Sequence, residues 1–489
     1  MISRIIPQPP PPRSKRHPCI ALAIAALALS AAAPATEHSN NPQDLLQQAP
    51  AGTSLKTSFK LVSIGDLLYS YPMAARDDAD LQQVIKLLKS GDVTIGNREG
   101  ATLDSHTHTA GYGDGLLWSE SGLAVDEKAL GINMVSLANN HAMDWGDAGL
   151  RDTIRLHHSA GIITAGGGEN LVEARQAGIL ETPKGRVALV STASSFKANA
   201  RANDDFEKTA ARPGISTLRT QVVHLVNEQQ FAAVRKLATE LASPLRPPPA
   251  PKASEIQFDD QIYRLSPTVG LTYDMDLFDH AALLKSIRDA KLRSDLVVFT
   301  IHAHQSSTGD DDDTPEPPDF LVRLFHDAVD AGADVIMGGG PHSLRGIEIY
   351  KGRPVFYGLG AFFLNGDIEM TQESAQHVFP DASGHAPPPP PPSQHTARAG
   401  GNPASWYDGL VAVTEFGPGG AKRLLLYPLD LGNTYDRRRR GIPHLAAPTD
   451  AQRILQNLQR NSARFGTRIT VENSVGSIVV TQRNSAEPN

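Results

Sequence analysis

Apolar segments with the length of buried β-strands alternate along this chain with helical segments, and polar residues follow directly where the strands end. Examples of the strand pattern are FKLVSI at 59–64, VTI at 93–95, MVSL at 134–137, VALVS at 187–191 and LVVFTI at 296–301. Strands that alternate with helices predict an α/β sheet. Ligand and active sites in such folds gather at the carboxyl ends of the strands.

The N-terminus has the organisation of a signal peptide. Arg13, Lys15 and Arg16 precede an apolar, alanine-rich run at 20–33, and an Ala-Pro-Ala sequence at 33–35 follows it. The run is short for a membrane-spanning helix, so we predict an exported protein of the periplasm or cell envelope, secreted through a signal peptide at 1–35. The alternative is an uncleaved N-terminal anchor.

Charge and cysteine content exclude several classes of protein. The chain has 46 basic and 53 acidic residues and a formal net charge of −7. Four of the basic residues lie within 1–35, so the remainder has 42 basic against 53 acidic residues, a net charge of −11. Such a balance argues against nucleic-acid binding, which depends on basic surfaces. The single cysteine, Cys19, excludes an intrachain disulfide and a cysteine-based metal site.

The remaining segments predict one large domain with insertions. A flexible polar leader at 36–57 precedes the main domain at 58–367. This domain contains an insertion at about 196–272 that is largely irregular and holds one helix near 221–241. A Pro-rich mobile loop at 368–403 comes next, and strands with a helix at 404–482 complete the domain.

Side chains that can bind a metal ion follow five of the predicted strands. They are Asp66, the pair Asn97 and Glu99, the run Asn139-Asn140-His141, the pair His302 and His304, and His342. Carboxylate, amide oxygen and imidazole together suit a divalent ion such as Mn, Fe or Zn. One histidine at a strand end is ordinary, but five such segments at the strand ends of one α/β fold indicate a metal site. A site with two ions would activate a bridging water and stabilise both oxygens of a displacement.

The segment around His141 has a spacing that suggests acid catalysis. Asn140 precedes the imidazole, and Asp144 follows it by three residues. An amide can then bind a metal while the adjacent imidazole points at a substrate, and a carboxylate behind the ring can fix its tautomer. The alternative is a helix N-terminus rich in Asn and Asp, with Asp144 capping the helix that follows.

These motifs, taken in order, resemble the CapA family of bacterial capsule and poly-gamma-glutamate synthesis proteins. The resemblance runs from about residue 59 to 363, and its most specific parts are ANNHAMDWG and PHSLRGIEIYKG. It implies a four-layer α-β-β-α sandwich of the metallophosphoesterase type. By motif it makes Asp66, Glu99, Asn140, His302 and His342 metal-ligand candidates. It also makes His141 the candidate general acid, with Asp144 behind it.

Two positions depart from the family pattern. The family commonly has His where this chain has Gly339, and Asn where this chain has Ala361. A missing imidazole predicts a site with one ion, a weaker site, or a site completed by His304. It is also compatible with ligand binding without hydrolysis.

Two functions therefore stay open. The first is a metal-dependent hydrolase that uses one or two ions of Mn, Zn, Fe or Mg on a phosphoester or an anionic polymer such as poly-gamma-glutamate. The second is a non-catalytic factor that binds the polymer beside membrane-bound synthesis and export proteins. No residue identifies the polymer.

Overall fold

The strands of this protein are numerous, and many are short. The computed structural model describes residues 53–104, 116–205, 209–242, 252–259, 261–310, 314–365, 369–370, 403–436 and 439–481. The predicted signal peptide and most of the Pro-rich loop lie outside these residues. The strands are β1 Phe59–Leu68, β2 Val93–Arg98, β3 Ala101–Leu103, β4 Leu116–Glu120, β5 Met134–Ser136, β6 Ile163–Ala165, β7 Gly167–Gly168, β8 Gly178–Thr182, β9 Gly185–Ala193, β10 Gly214–Ile215, β11 Thr220–Val226, β12 Glu255–Phe258, β13 Gln261–Leu265, β14 Gly270–Met275, β15 Leu296–His302, β16 Gln305–Ser306, β17 Gly309–Asp310, β18 Val335–Gly339, β19 Ile347–Tyr350, β20 Arg353–Phe356, β21 Ala361–Leu364, β22 Glu369–Met370, β23 Asp408–Gly417, β24 Gly420–Asp430, β25 His444–Leu445, β26 Thr470–Glu472 and β27 Val475–Val479.

The helices lie between the strands, as the alternating pattern predicts for an α/β fold. They are α1 Ala79–Leu88, α2 Leu123–Leu130, α3 Gly146–Ser159, α4 Leu171–Arg175, α5 Glu228–Glu240, α6 Leu277–Arg293, α7 Asp319–Ala331 and α8 Pro448–Ala463. In α1, the side chain of Asp78 caps the first turn and the buried residues recur at helical spacing, from Leu81 to Leu88. Among the described helices, none combines the length and apolar character needed to cross a bilayer.

Two large sheets carry the residues of interest. The ten-stranded sheet has the order β26-β27-β24-β23-β1-β2-β5-β6, with β21 also paired to β1 and β25 to β24. The six-stranded sheet has the order β19-β20-β18-β15-β9-β8. Strands β1, β2, β5 and β6 run parallel to one another, as do β9, β15, β18 and β20. Within each sheet the carboxyl ends of these parallel strands therefore lie at one edge.

The buried apolar side chains form separate clusters, and the face of the strand from which a side chain projects determines its cluster. Leu61 of β1 and Val298 of β15 belong to one buried cluster, which joins apolar side chains of both sheets. Val62 packs instead into a cluster with α1 and α2, and Phe299 into one with α6 and α7. The alternation follows from the two-residue repeat of a β-strand. Both sheets are therefore buried on two faces, which explains why their strands are nearly continuous apolar runs.

The insertion at about 196–272 differs from the expected irregular segment. The helix predicted near 221–241 begins only at Glu228, where Asn227 and Gln230 form a capping box. Residues Thr220–Val226 form β11, the third strand of a four-stranded sheet with the order β12-β13-β11-β14. β11 pairs with β14, about fifty residues further along the chain. Such distant pairing leaves no local sequence signal, which is why the prediction was wrong here.

Candidate metal centre

Asp66 lies near the end of β1, where the strand is irregular. The pairing of β1 with β2 contains one additional residue on β1 between Ser63 and Asp66. Such a bulge turns the next side chain toward a new direction. Gly65 is required here because a Cβ at this position would lie 1.9 Å from the carbonyl oxygen of Gly360. The Asp66 amide donates to that same oxygen at 3.0 Å. The carboxylate is thereby held in a buried position.

Asn97 connects the two sheets next to Asp66. Its Nδ2 donates a hydrogen bond to Asp66 Oδ1 at 2.8 Å and lies 3.2 Å from Nδ1 of His302. Asn139 supports it, donating to the Asn97 side chain at 3.3 Å and to the Arg98 carbonyl at 2.8 Å. Asn97 and Asn139 therefore hold the end of β2 in place. In the sequence both were members of strand-end segments, with no sign of this supporting role.

Glu99 belongs to both groups of possible metal ligands in the centre. Ligand atoms of Glu99, His302 and His304 lie within 4.8 Å of one another, and so do those of Asp66, Glu99 and His342. Glu99 and His302 are about 1% exposed. Five of the six predicted ligands thus come together, from strand ends of both sheets. A carboxylate shared by two groups is the arrangement expected for two adjacent ions.

The imidazole of His302 is suited to bind a cation. Burial, followed by repulsion from His304, His342 and His141, lowers the pKa of His302 well below its usual value. The ring is therefore neutral at pH 7, which is the form that binds metals. His302 Nε2 lies 3.1 Å from His304 Nε2, and His342 Nδ1 lies 3.8 Å from Asp66 Oδ2.

The donor set fits a divalent ion on two grounds. Two buried carboxylates next to three imidazoles match the mixed oxygen and nitrogen ligands of Zn, Mn or Fe. In addition, Oδ1 of Asn140 is buried and has no hydrogen-bond partner among the described residues. A buried amide oxygen without a partner is costly unless another group binds it. Asn140, the sixth predicted ligand, therefore retains an available oxygen.

His141, Asp144 and Lys197 form a chain of contacts beside Glu99. His141 Nδ1 lies 2.7 Å from Asp144 Oδ2, and His141 Nε2 lies 4.0 Å from Glu99 Oε1. The fully buried Asp144 also accepts from the Leu117 amide at 2.8 Å and from Lys197 Nζ. Asp144 does not cap α3, because Trp145 holds the capping position and no side chain hydrogen-bonds there. The capping alternative is therefore excluded.

Lys197 and Ser195 are site residues that the sequence motifs did not indicate. Ser195 Oγ accepts from the His304 amide at 2.8 Å and donates to the Gln305 side chain at 3.0 Å. Both residues follow β9, whose last residue pairs with His302 on β15. Position just after a parallel strand was the one available signal. This signal is weak, because the serine pair at 194–195 has no nucleophile motif around it and Lys197 belongs to no recognisable motif.

Gly339 and Ala361, the two departures from the family pattern, both lie next to Asp66. A Cβ built on Gly339 would be 3.2 Å from Asp66 Oδ1. Ala361 is the partner of Asp66 in the pairing of β1 with β21. Larger side chains at either position would extend beside this carboxylate. Neither position therefore supplies the side chain that the family pattern would place beside Asp66. Trp406 packs against His342 there, with ring centroids 4.7 Å apart.

Comparisons with known proteins place the chain among capsule-related sequences. The family model described as "Bacterial capsule synthesis protein PGA_cap" matches residues 60–366. The "Uncharacterized protein y4sH" of Sinorhizobium fredii is 37% identical over 87% of this chain and 94% of its own length. "Capsule biosynthesis protein CapA" of Bacillus anthracis is 25% identical over 61% of this chain and 56% of its own length. The "Probable polyglutamine synthesis accessory protein MT0602" of Mycobacterium tuberculosis is 23% identical over 47% of this chain and 45% of its own length.

Proposed function

Because the chain belongs to the bacterial capsule synthesis protein family PGA_cap, we propose that it acts in the synthesis of an anionic capsular polymer as an exported, metal-dependent hydrolase. The resemblance to the CapA family that the motifs indicate is confirmed by this match and by the CapA relatives. We also propose that the fold is a four-layer α-β-β-α sandwich, because one core cluster is shared by the two sheets and one helical cluster lies outside each sheet.

The convergence of Asp66, Glu99, His302, His304 and His342 is the observation that carries this proposal. Two buried carboxylates repel an anionic polymer or phosphoester unless a cation lies between them. The ring of His302 is neutral and provides no such charge. A divalent ion held by these residues would supply the positive charge and the Lewis acidity for hydrolysis.

The chain's own residues provide the proton. Asp144 accepts from Nδ1 of His141 and thereby fixes the tautomer, so Nε2 points toward Glu99. We assign His141 as the general acid in its doubly protonated form, with Nδ1–H held by Asp144. Its Nε2 proton passes to the departing oxygen or nitrogen while water adds to the phosphorus or carbonyl carbon, and the neutral ring that remains keeps its hydrogen bond to Asp144. Lys197 binds the other oxygen of Asp144 and keeps that carboxylate in position.

Metal content and turnover test this assignment together. The purified protein is analysed for metals and then assayed on poly-gamma-glutamate and on a generic phosphodiester, each with Mn, Zn or Mg. We expect bound metal, and we expect His141→Ala to lower turnover by about 10²–10⁴-fold with unchanged metal content. Absence of both metal and turnover would contradict the proposal.

The accessory function remains the second candidate, because Gly339 removes a side chain that would extend to Asp66. A centre that binds its ion weakly, or that binds one ion and lacks a second, can hold an anionic polymer without cleaving it. One relative, from Mycobacterium tuberculosis, is itself named as a probable polyglutamine synthesis accessory protein. Metal-dependent polymer binding that survives His141→Ala, without turnover in either protein, would favour this function.

A further inference from the structure

His444 is a buried histidine far along the chain from the strand-end motifs. It lies in β25, opposite Asp430 of β24, and its side chain is about 4% exposed. Neither ring nitrogen makes a hydrogen bond with any of the described residues. Burying two polar nitrogens in this way is costly unless a further group binds one of them.

Two carboxylates at the start of α1 face this imidazole. Asp78 uses Oδ1 to cap the helix, accepting from the amides of Asp80 and Leu81 at 3.1 and 3.2 Å. Its other oxygen, Oδ2, lies 3.6 Å from His444 Nε2. One ligand atom from each of Asp78, Asp80 and His444 lies within 4.8 Å of the other two.

The distance between Asp78 Oδ2 and His444 Nε2 shows whether the two atoms are hydrogen-bonded or are spaced as ligands of one ion. A hydrogen bond between nitrogen and oxygen spans about 2.7–3.2 Å, so 3.6 Å is too long for one. Two ligands of a tetrahedral zinc ion, each bonded at about 2.0–2.1 Å, lie roughly 3.4 Å apart. The observed distance is close to the second value.

We propose that Asp78, Asp80 and His444 form a second metal site, which binds a divalent ion of the zinc type. One imidazole and two carboxylates are ligands that zinc accepts, with a water in the fourth position. The ion would join the N-terminus of α1 to the β24–β25 edge of the ten-stranded sheet. Its role is to stabilise that junction, separately from the Glu99 centre.

Arg439 is the competing cation at this site. Its Nη2 lies 3.5 Å from Asp80 Oδ2, and both side chains are about half exposed. Its guanidinium also lies 5.0 Å from the ring centre of Tyr435. An exposed ion pair of this length contributes little to stability. Asp80 can therefore exchange Arg439 for a divalent ion at small cost.

Thermal unfolding in the presence of zinc tests the site. The full chain carrying Glu99→Gln, which disrupts the other centre, is treated with EDTA, desalted and titrated with zinc. We expect zinc to raise Tm by about 2 °C or more at a hundredfold excess over Kd. We expect the rise to disappear on adding His444→Gln or Asp80→Asn. Asp80 is exposed, so we expect Asp80→Asn to fold normally.

His280→Gln serves as the matched control, because His280 is a histidine paired with Asp327 elsewhere in the protein. It should retain the full effect of zinc. X-ray absorption of the zinc-loaded Glu99→Gln protein should show a first shell of nitrogen and oxygen atoms with the outer-shell scattering of a single imidazole, as one histidine and two carboxylates require. If zinc raises Tm equally with and without His444 or Asp80, or does not raise it in the Glu99→Gln protein, the site does not exist.

Discussion

Glu99 Oε1 lies 3.7 Å from His302 Nε2, and this contact joins a carboxylate that follows β2 of one sheet to an imidazole at the end of β15 of the other. Both side chains are about 1% exposed. A buried carboxylate beside a neutral ring is unfavourable without a positive charge nearby. The pair therefore marks the point where the proposed cation would bind.

Replacing Glu99 by Gln should remove metal from the whole centre. Glu99 belongs to both groups of donors, so its loss affects two ions where the loss of His304 would affect one. We expect metal affinity to fall by at least about 100-fold. Substituting a residue that only hydrogen-bonds to a metal ligand already lowers metal affinity by about 10–100-fold. Elemental analysis and titration of the metal-free protein measure this. Glu169→Gln, at an exposed pair with Arg151, should leave affinity unchanged. Equal metal binding in both variants would refute the shared role of Glu99.

Replacing Lys197 by Met should lower turnover without loss of metal. Lys197 contacts the Asp144 oxygen that His141 does not use. Without it, Asp144 can rotate away from the imidazole, so we expect kcat to fall about tenfold with little change in KM. Lys197→Arg should recover much of the activity because it restores a cationic donor. A fall in metal content in Lys197→Met would instead indicate a structural role.

Replacing Gly339 by His should strengthen metal binding. The Cβ would lie 3.2 Å from Asp66 Oδ1, so the imidazole would be added directly beside that carboxylate. We expect metal affinity to rise about tenfold, with a modest loss of stability because the contact is tight. Gly339→Ala adds the Cβ without the ring and is the control. If the alanine and histidine variants bind metal equally, position 339 does not supply a ligand.

Replacing Asp279 by Asn should destabilise the protein in a pH-dependent way. Burial by itself raises the pKa of Asp279, but hydrogen bonds from Arg219 and Arg201 lower it to about 2. A lowered pKa means that the ionised carboxylate stabilises the fold above about pH 4 and loses this effect as pH falls toward 2. We expect the variant to be less stable by about 1–2 kcal/mol at pH 7, allowing for the half-exposed Arg219.

Denaturant unfolding at pH 7 and pH 3 measures the Asp279 effect, and the difference between the two proteins should shrink at the lower pH. Asp289→Asn is the control, because Asp289 lies on the same helix in an exposed pair with Lys285. A difference that does not change with pH would show that the arginine contacts do not account for the stability.

Local sequence patterns were sufficient to predict most strands and the residues that follow them. The FKLVSI and LVVFTI runs are buried on both faces, and continuous apolar runs of this length are typical of parallel strands. Because parallel strands end at one edge of their sheet, the pattern also indicated that Asp66 would lie near Glu99 on one sheet and His302 near His342 on the other. The sheet within the insertion could not be predicted in this way, because β11 pairs with strands that lie much further along the chain.

Contacts made by single residues were not predictable in the same way. Lys197 follows β9 like several other polar residues, and its sequence context does not indicate a contact with Asp144. Asn97 was visible at a strand end, but its position between Asp66 and His302 depends on how the two sheets face each other. His444 and Asp78 are separated by more than 350 residues in the sequence, so no motif could relate them.

The sequence by itself determined the α/β class, the family and the strand ends that carry carboxylates, amides and imidazoles, because these depend on local periodicity and on short motifs. Only the tertiary structure decided that Glu99 is shared by two donor groups, that Asp144 supports His141 and does not cap α3, and that both departures from the family pattern lie beside Asp66. The physical reason is that these relationships depend on the pairing and packing of segments that are distant in the chain. Distances of three to four ångströms between such segments exist only after the two sheets have assembled.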